Sequence, residues 1–239
     1  AILQLLWDMY AIVEETGVWP QQVTMGLISM IPKGNGLRPE QLRPITVMSL
    51  IYRVWAVVRV KELVVWQDQW LHRGAFGFRR FMGCDDVYWK TAAEVESALL
   101  SGQPLCGASL DFSKAFDRVP AHILLSLASE LGVSEGIVSA LSGMYKQLKR
   151  RWKVGPFVGE EFESTNGILQ GCPLSVVLLN MMVHIWVKAV EHHEPTAMPS
   201  AYADDLQATA RTTRAVQKVL TVDLWTRVRL AAGLNTGRV

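Results

Sequence analysis

The chain has 239 residues, of which 50% are hydrophobic, so it can bury a substantial core as one large domain or two small ones. Its net charge is only +2, so composition by itself does not indicate a nucleic-acid-binding protein, and any such affinity must come from where the basic residues lie. Three cysteines without CxxC spacing argue against a disulfide framework and a zinc site, and they favour a reducing, intracellular compartment.

Helical and extended patterns alternate through the first hundred residues. The spacing of apolar residues predicts, in chain order, a helix over residues 2–15, strands over 24–31 and 42–46, a helix over 49–69, and a helix from Asp85 or Asp86 to Ser101. A flexible Gly34-Asn35-Gly36 connection lies between the two strands. The chain begins at Ala1 rather than Met, and we expect it to be an excised piece of a longer protein.

The second half continues in the same mixed pattern. The predicted elements are a strand over 105–110, helices over 121–131 and 135–149, a hairpin over 152–163, a helix from 173, strands over 201–203 and 206–210, and a helix over 213–232 that Gly233 ends. Strands separated by long helical stretches indicate an α+β fold.

The longest apolar stretch covers residues 174–190 and contains Asn180, His184 and Lys188. A membrane span tolerates few such groups over about 20 residues. We therefore predict a buried helix here, and we expect no membrane partner.

Two adjacent acids, Asp204 and Asp205, lie between two short strand-like runs, so a tight hairpin would hold both at its tip. Carboxylates this close repel each other unless a cation joins them, and oxygen-only ligands favour Mg²⁺. Asp111, which directly follows a buried strand, is the candidate for a third ligand. Taken alone, Asp-Asp is also a frequent turn pair, and an acid after a strand is often a helix cap.

The order of the surrounding motifs resembles that of reverse transcriptases, above all those of the non-LTR retrotransposon class. The likeness lies in LDFSKAFD at 110–117 (motif A), GILQGCPLS at 167–175 (motif B) and YADD at 202–205 (motif C), together with IPK at 31–33, LRPI at 42–45, GFRR at 77–80 before Asp85-Asp86, and GLN at 233–235 (motif D). The family's right-hand fold implies fingers over residues 1–103 and a palm over 104–239. The palm would be an antiparallel sheet packed on helices, with the thumb and any endonuclease outside this chain.

The resemblance implies a two-metal nucleotidyl transfer that extends a DNA primer on an RNA template. Asp111, Asp204 and Asp205 would hold two Mg²⁺ ions, and the backbone carbonyl of Phe112 would help to bind one of them. The resemblance also allows a nuclear location, which no sequence signal indicates. It identifies no protein partner.

The resemblance further implies a set of residues that bind the incoming dNTP: Lys33, Arg43, Phe116, Gln170, Gly171 and Arg238. Phe116 would exclude a 2′-hydroxyl and so select deoxynucleotides, although spacing alone favours a core aromatic. Lys33 and Arg43 would bind the triphosphate, although each also fits ordinary surface charge. Arg238 stands where the family typically has Lys, and Arg binds phosphate but hardly loses a proton.

A last group would contact the nucleic-acid strands: Arg79, Arg80, Lys149, Arg150, Arg151 and Tyr202. Lys149, Arg150 and Arg151 form part of the densest basic stretch, which a solvated helix face would explain equally well. Tyr202 would support the primer terminus.

Three alternatives remain beside a retrotransposon reverse transcriptase. The steric gate at Phe116 and the YADD sequence at 202–205 argue against an RNA-dependent RNA polymerase. A group II intron maturase is a nearer relative that the motifs do not exclude. A decayed, noncatalytic RNA-binding remnant is disfavoured because all three acids are present.

Overall fold

The structure, a computed structural model, describes residues 2–34, 38, 41–112, 114–163, 166–224 and 228. The chain divides into two compact units, each made of two separate stretches. The first unit contains Ala1–Glu62 and Lys114–Ser175, and the second contains Leu63–Ser113 and Val176–Val239. These interleaved units differ from a single boundary after residue 103. The assignment of fingers to 1–103 and of a palm to 104–239 stays a prediction.

The described residues form an α+β fold, as predicted. The helices are α1 (Ile2–Thr16), α2 (Leu50–Asp68), α3 (Cys84–Ser101), α4 (Ala115–Arg118), α5 (Ala121–Glu130), α6 (Glu135–Gln147), α7 (Pro173–His193) and α8 (Thr213–Leu220). The strands are β1 (Met25–Pro32), β2 (Leu42–Val47), β3 (Cys106–Asp111), β4 (Lys149–Val154), β5 (Phe157–Glu163), β6 (Met198–Tyr202) and β7 (Asp205–Ala210).

The first unit is built on a four-stranded sheet in the order β2-β1-β4-β5. Strand β1 pairs antiparallel with β2 and parallel with β4, so that Met25 lies opposite Lys149. This parallel pairing joins parts of the chain more than a hundred residues apart, and it explains why the unit takes two separate stretches.

One sequence prediction is wrong in this unit. The helix predicted over 135–149 ends at Gln147, and Lys149 begins strand β4. Leu148 has already left the helical conformation (φ −66°, ψ 121°), and the Lys149 backbone N–H donates to the Thr24 carbonyl at 3.0 Å. Residues from Lys149 onward therefore pair with the open edge of β1, although their local sequence pattern would continue the helix.

Close approach of α1 and α6 organises the helical side of the first unit. A Cβ added at Gly143 of α6 would lie 1.6 Å from the Gly17 carbonyl oxygen, so only glycine fits there. Trp19, Tyr52 and Trp55 pack beside this crossing with ring centroids 5.3–5.8 Å apart. All three rings are almost completely buried and form the centre of this unit's core.

The second unit contains a three-stranded antiparallel sheet in the order β3-β7-β6. Helix α3 is tied to the sheet by a hydrogen bond of 2.6 Å from the Thr209 hydroxyl to Glu94. Helix α8 is connected to the end of α7 by an ion pair of 2.8 Å between Lys218 and Glu194. An antiparallel sheet packed on helices agrees with the predicted α+β architecture.

Helix α7 is buried, as its polar residues predicted. Of the helices that the described residues form, this one alone is long and apolar enough to cross a membrane by length and composition, and 72% of its apolar window is buried inside the structure. Its residues from Val176 onward supply much of the second unit's core, including Leu179, Met182 and Trp186.

The last predicted helix is interrupted after Leu220, although Leu224 and Val228 are again helical. Helix α8 ends at Leu220, not at 232, because the Thr221 hydroxyl and backbone N–H both bond to the Lys218 carbonyl. Residues 225–227 and 229–239, including Gly233, lie outside the described residues. The four-residue helix α4 is the one described α-helix that periodicity missed, since one turn carries no periodic signal.

Candidate active site

The pairing of β3 with β7 brings the three predicted acids to one edge of a sheet. Asp111, the last residue of β3, is the cross-strand partner of Asp205, the first residue of β7. Tyr202 pairs with Asp205 on the other side, and only Ala203 and Asp204 separate them. Cross-strand partners have Cβ atoms about 4.5–5.5 Å apart. The backbone therefore places three carboxylates at adjacent positions.

The acids perturb one another electrostatically. Partial burial raises the pKa of Asp205, and the charges of Asp204 and Asp111 raise it further. Asp111 and Asp205 are exposed and Asp204 is half-buried, so an ion can reach all three from solvent. A cation would relieve this repulsion.

The donor set fits a divalent metal ion of the hard class. Three carboxylates at neighbouring positions offer oxygen ligands only, which Mg²⁺ prefers. The part of the chain that the structure describes contains no group of three acidic, histidine or cysteine side chains already converged on one point. The backbone register thus fixes the Cα positions of the three acids. Rotation of their side chains would bring the carboxylates onto an ion. Phe112, whose carbonyl is a further candidate ligand, directly follows β3 and is half-buried.

Tyr202 ends β6 directly before Ala203 and Asp204, which with Asp205 form the acidic turn between β6 and β7. Its half-buried ring stacks on Phe78, with centroids 6.4 Å apart and planes inclined by 29°. Phe78 is 43% exposed and has a positive φ of 57°, an uncommon conformation for a bulky residue. A pair of aromatic faces therefore lies next to Asp204.

Most of the predicted nucleotide-binding residues lie in the first unit. Lys33 follows β1 and Arg43 belongs to β2, where it pairs with Ile31. The Lys33 backbone N–H donates to the Gln41 carbonyl at 2.7 Å, which continues the hairpin. Both basic side chains are exposed at the same end of this strand pair, where they are free to meet an anion.

The motif B loop is held between β2 and α4 of the same unit. The Gln170 carbonyl accepts a hydrogen bond of 2.8 Å from the Thr46 backbone N–H, and the Phe116 carbonyl accepts one of 2.6 Å from the Ile168 N–H. Gly171 has φ 111°, and a Cβ there would lie 3.0 Å from the Thr46 carbonyl oxygen. The structure thus brings Phe116, Gln170 and Gly171 into one neighbourhood, and the loop requires glycine.

A buried polar cluster supports this loop. The Tyr145 hydroxyl accepts from the Leu169 N–H at 3.2 Å, and the Tyr52 hydroxyl lies 3.1 Å from the Cys172 sulfur. Burial raises the pKa of all three side chains, most strongly for the tyrosines, so each stays neutral at physiological pH. The cluster is a neutral support for the loop rather than a source of charge.

The sequence around these residues matches a known protein family. Residues 31–227 match the family described as "Reverse transcriptase (RNA-dependent DNA polymerase)". The chain belongs to the reverse transcriptase family. Enzymes of this family use divalent metal ions, which agrees with the carboxylate set at Asp111, Asp204 and Asp205.

Similar sequences are found in the Pol polyproteins of retrotransposable elements. The chain is 25% identical over 214 residues to the Pol polyprotein of the type-2 retrotransposable element R2DM of Drosophila melanogaster, which covers 85% of this chain and 20% of that protein. It is 23% identical over 250 residues to the Pol polyprotein of the type-1 element R2 of Nasonia vitripennis, covering 98% of this chain and 23% of that protein. The chain therefore spans about a fifth of the length of these relatives.

A solved structure shares the fold at low sequence identity. The apo telomerase of Candida tropicalis, truncated from its C-terminal domain, superposes with a TM-score of 0.64 at 15% identity. The match covers 94% of this chain and 51% of that one. Because the identity is so low, the likeness establishes the fold of the described reverse transcriptase chain and nothing finer.

The Arg79 side chain is hydrogen-bonded within the protein. Its guanidinium Nε donates to Asp68 Oδ1 at 2.8 Å, its Nη1 lies 3.3 Å from the His72 and Ala75 carbonyls, and its side chain is only 12% exposed. Arg80 is exposed instead and places its guanidinium carbon 4.6 Å from the centre of the Phe81 ring. Of Arg79 and Arg80, only Arg80 is available to a ligand.

The basic stretch at the start of β4 is partly neutralised. Lys149 and Arg151 both pair with Glu161 of β5, at 2.7 Å and 3.4 Å. Arg150 is half-buried, and this burial lowers its pKa, whereas Tyr145 and Asp117 raise it. These residues lie on a strand and not on the predicted helix face, so alternate side chains point to opposite sides of the sheet.

One predicted group of residues cannot be compared with the structure, and one pair of buried polar residues was not predicted. Arg238 and the motif D residues lie outside the described residues, so their predicted role stays a prediction. Sequence reasoning missed the role of Asn180 and Gln67, two buried amides of the second unit. The polar Asn180 within an apolar run was a visible signal, whereas nothing in the pattern of α2 distinguished Gln67.

Proposed function

We propose that this chain is the catalytic part of a retrotransposon reverse transcriptase, an RNA-directed DNA polymerase that extends a DNA primer on an RNA template. One observation carries the proposal: the strand register that sets Asp111 opposite Asp205, next to Asp204. Family membership supports it, as do the mobile-element relatives. The reaction joins the primer 3′-oxygen to the α-phosphorus of a dNTP and breaks the bond to the β-phosphate, which releases pyrophosphate.

In this proposal the three acids hold two Mg²⁺ ions, with the Phe112 carbonyl as an additional ligand. The bound ions would favour the deprotonated primer hydroxyl and neutralise the triphosphate. Asp111, Asp204 and Asp205 contribute the negative charge that keeps both ions in place.

The remaining proposed contacts concern the nucleotide and the strands. Lys33 and Arg43 bind the triphosphate because their exposed charges complement it, and Arg238 would add another phosphate contact. Phe116 excludes the 2′-hydroxyl, and the loop with Gln170 and Gly171 approaches the nucleotide closely.

We assign the strand contacts to a smaller set than the sequence did. Arg80 offers an accessible cation, and Tyr202 offers an aromatic face beside the acidic turn. Lys149, Arg150 and Arg151 offer phosphate contacts of modest strength. Arg79 is omitted because its donors are used within the protein.

Primer extension tests the proposal. A longer form of the protein that includes a thumb should extend a DNA primer on an RNA template with dNTPs and Mg²⁺, and Asp204→Asn should abolish extension. Glu96→Gln, an exposed acid of α3 in the same unit, is the matched control and should extend normally. The catalytic assignment is wrong if the parent is inactive or if Asp204→Asn extends the primer as well as the parent does. RNA binding without extension would instead indicate a decayed remnant.

A further inference from the structure

The turn that carries Asp204 and Asp205 has a strained backbone. Ala203 has φ 56°, a left-handed conformation that costs a non-glycine residue about 1–2 kcal/mol. Such a conformation persists only where the surroundings hold it. The position of the two acids therefore depends on what packs against Ala203.

The outer side of β6 is covered by the segment from Gly74 to Phe78. The Ala201 N–H donates to the Gly74 carbonyl at 2.7 Å, and the Phe76 N–H donates to the Ala201 carbonyl at 2.8 Å. The segment thus runs parallel to the strand up to the acidic turn. It forms a single parallel β-bridge, between Ala75 and Ala201, at the edge of the sheet.

Gly77 of this segment touches the turn directly. A Cβ built on Gly77 would lie 2.4 Å from the Ala203 backbone nitrogen and 3.1 Å from its Cα. No side chain fits there, so the two backbones are in contact. A displacement of Gly77 is consequently passed to the turn that begins at Ala203.

A buried amide holds Gly77 in place. Asn180 Nδ2 donates to the Gly77 carbonyl at 2.9 Å and to Gln67 Oε1 at 3.3 Å, and Gln67 Nε2 donates to the Val177 carbonyl at 2.9 Å. Asn180 is 2% exposed and Gln67 is 3% exposed, so water does not replace these bonds. A buried amide among apolar side chains is unfavourable unless it is bonded, and here Asn180 Nδ2 donates to the Gly77 carbonyl and to Gln67.

We infer that Asn180 is a positioning residue for the catalytic acids, acting through Gly77 on the turn that carries Asp204 and Asp205. The inference rests on the proposed function, because it assigns the acids to metal binding. Asn180 touches neither acid. It fixes the carbonyl of Gly77, and Gly77 in turn limits where Ala203 can lie.

Two pairs of variants separate positioning from folding. Gly77→Ala should displace the turn, whereas Gly107→Ala in β3 of the same sheet meets its nearest atom at 3.6 Å and should be tolerated. Asn180→Leu removes the bond to Gly77, whereas Gln67→Leu disturbs the same buried cluster and leaves that bond in place.

Metal affinity provides a readout that does not depend on catalysis. Binding of Mn²⁺ alone to the 239-residue chain would be measured by electron paramagnetic resonance of the free ion, and folding by circular dichroism and thermal unfolding. Gly77→Ala and Asn180→Leu should weaken Mn²⁺ binding by about 10- to 100-fold, as changes to groups that orient metal ligands do. The two controls should bind Mn²⁺ within about twofold of the parent, whatever their melting temperature.

Primer extension by the longer form supplies the second readout. Gly77→Ala and Asn180→Leu should lower kcat about 10- to 100-fold with little change in the KM for dNTP, because the nucleotide contacts are intact. The inference is overturned if either variant matches its control in Mn²⁺ affinity and kcat, or if both lose their folded structure and so prove to be folding determinants. A parent that neither binds Mn²⁺ nor extends a primer refutes the proposed function itself, and the inference with it.

Discussion

Removing one carboxylate from the acidic edge should stabilise the metal-free protein. In Asp111→Asn the cross-strand repulsion of Asp205 disappears. At about 5 Å, two like charges repel by about 0.8 kcal/mol in bulk water and about 3 kcal/mol at an effective dielectric of 20. Both side chains are exposed, so screening brings the gain in the free energy of unfolding to about 1 kcal/mol. The melting temperature should rise by about 2–4 °C.

Magnesium should reverse the order of the two proteins. An ion at ten times its dissociation constant stabilises the folded state by about 1.4 kcal/mol, and the wild type gains this while Asp111→Asn gains little. Acid supplies a further check, because the pKa of Asp205 is raised and its destabilising charge forms only as the pH rises through that pKa. The gain from Asp111→Asn should therefore vanish below the ordinary Asp pKa of about 3.9, where Asp205 is protonated.

Thermal unfolding at low ionic strength, with and without Mg²⁺ at about ten times its dissociation constant, measures the gain in metal-free stability and the stabilisation by Mg²⁺. Glu96→Gln is the control, since it removes an exposed charge of the same unit away from the acidic edge. If Asp111→Asn melts at or below the wild-type temperature without divalent ions, the repulsion argument is wrong. If Mg²⁺ stabilises the variant as much as the wild type, Asp111 is not a ligand.

Two further predictions follow from single positions of the first unit. Phe116→Val should reduce the preference for dNTP over NTP at least about tenfold in primer extension, whereas Phe157→Val on the exposed hairpin should leave it unchanged. Unaltered selectivity in Phe116→Val would remove the gate role. Gly143→Ala should lower the free energy of unfolding by about 3 kcal/mol or more, because its Cβ meets the Gly17 carbonyl, and Gly136→Ala on the same helix should change it by less than about 1 kcal/mol. Denaturant unfolding compares the two, and equal stabilities would contradict the close helix contact.

The sequence predicted most elements because their signals are local. Helical spacing identified α1, α2 and α5, and the buried character of α7 followed from its mixture of apolar and polar residues. Where a local signal competed with a distant partner it failed. Lys149 continues a helical pattern and yet lies in β4, because the open side of β1 binds it.

The order of the motifs, and with it the family, could be predicted from the sequence alone, since the acids and the residues around them are contiguous stretches. Only the tertiary structure decided how they meet. The register that sets Asp111 opposite Asp205 depends on pairing between strands almost a hundred residues apart. The same holds for the bond from Asn180 to Gly77, which are 103 residues apart. Such contacts leave no trace in spacing, because hydrogen-bond partners far apart in the chain are chosen by the packing of the whole unit.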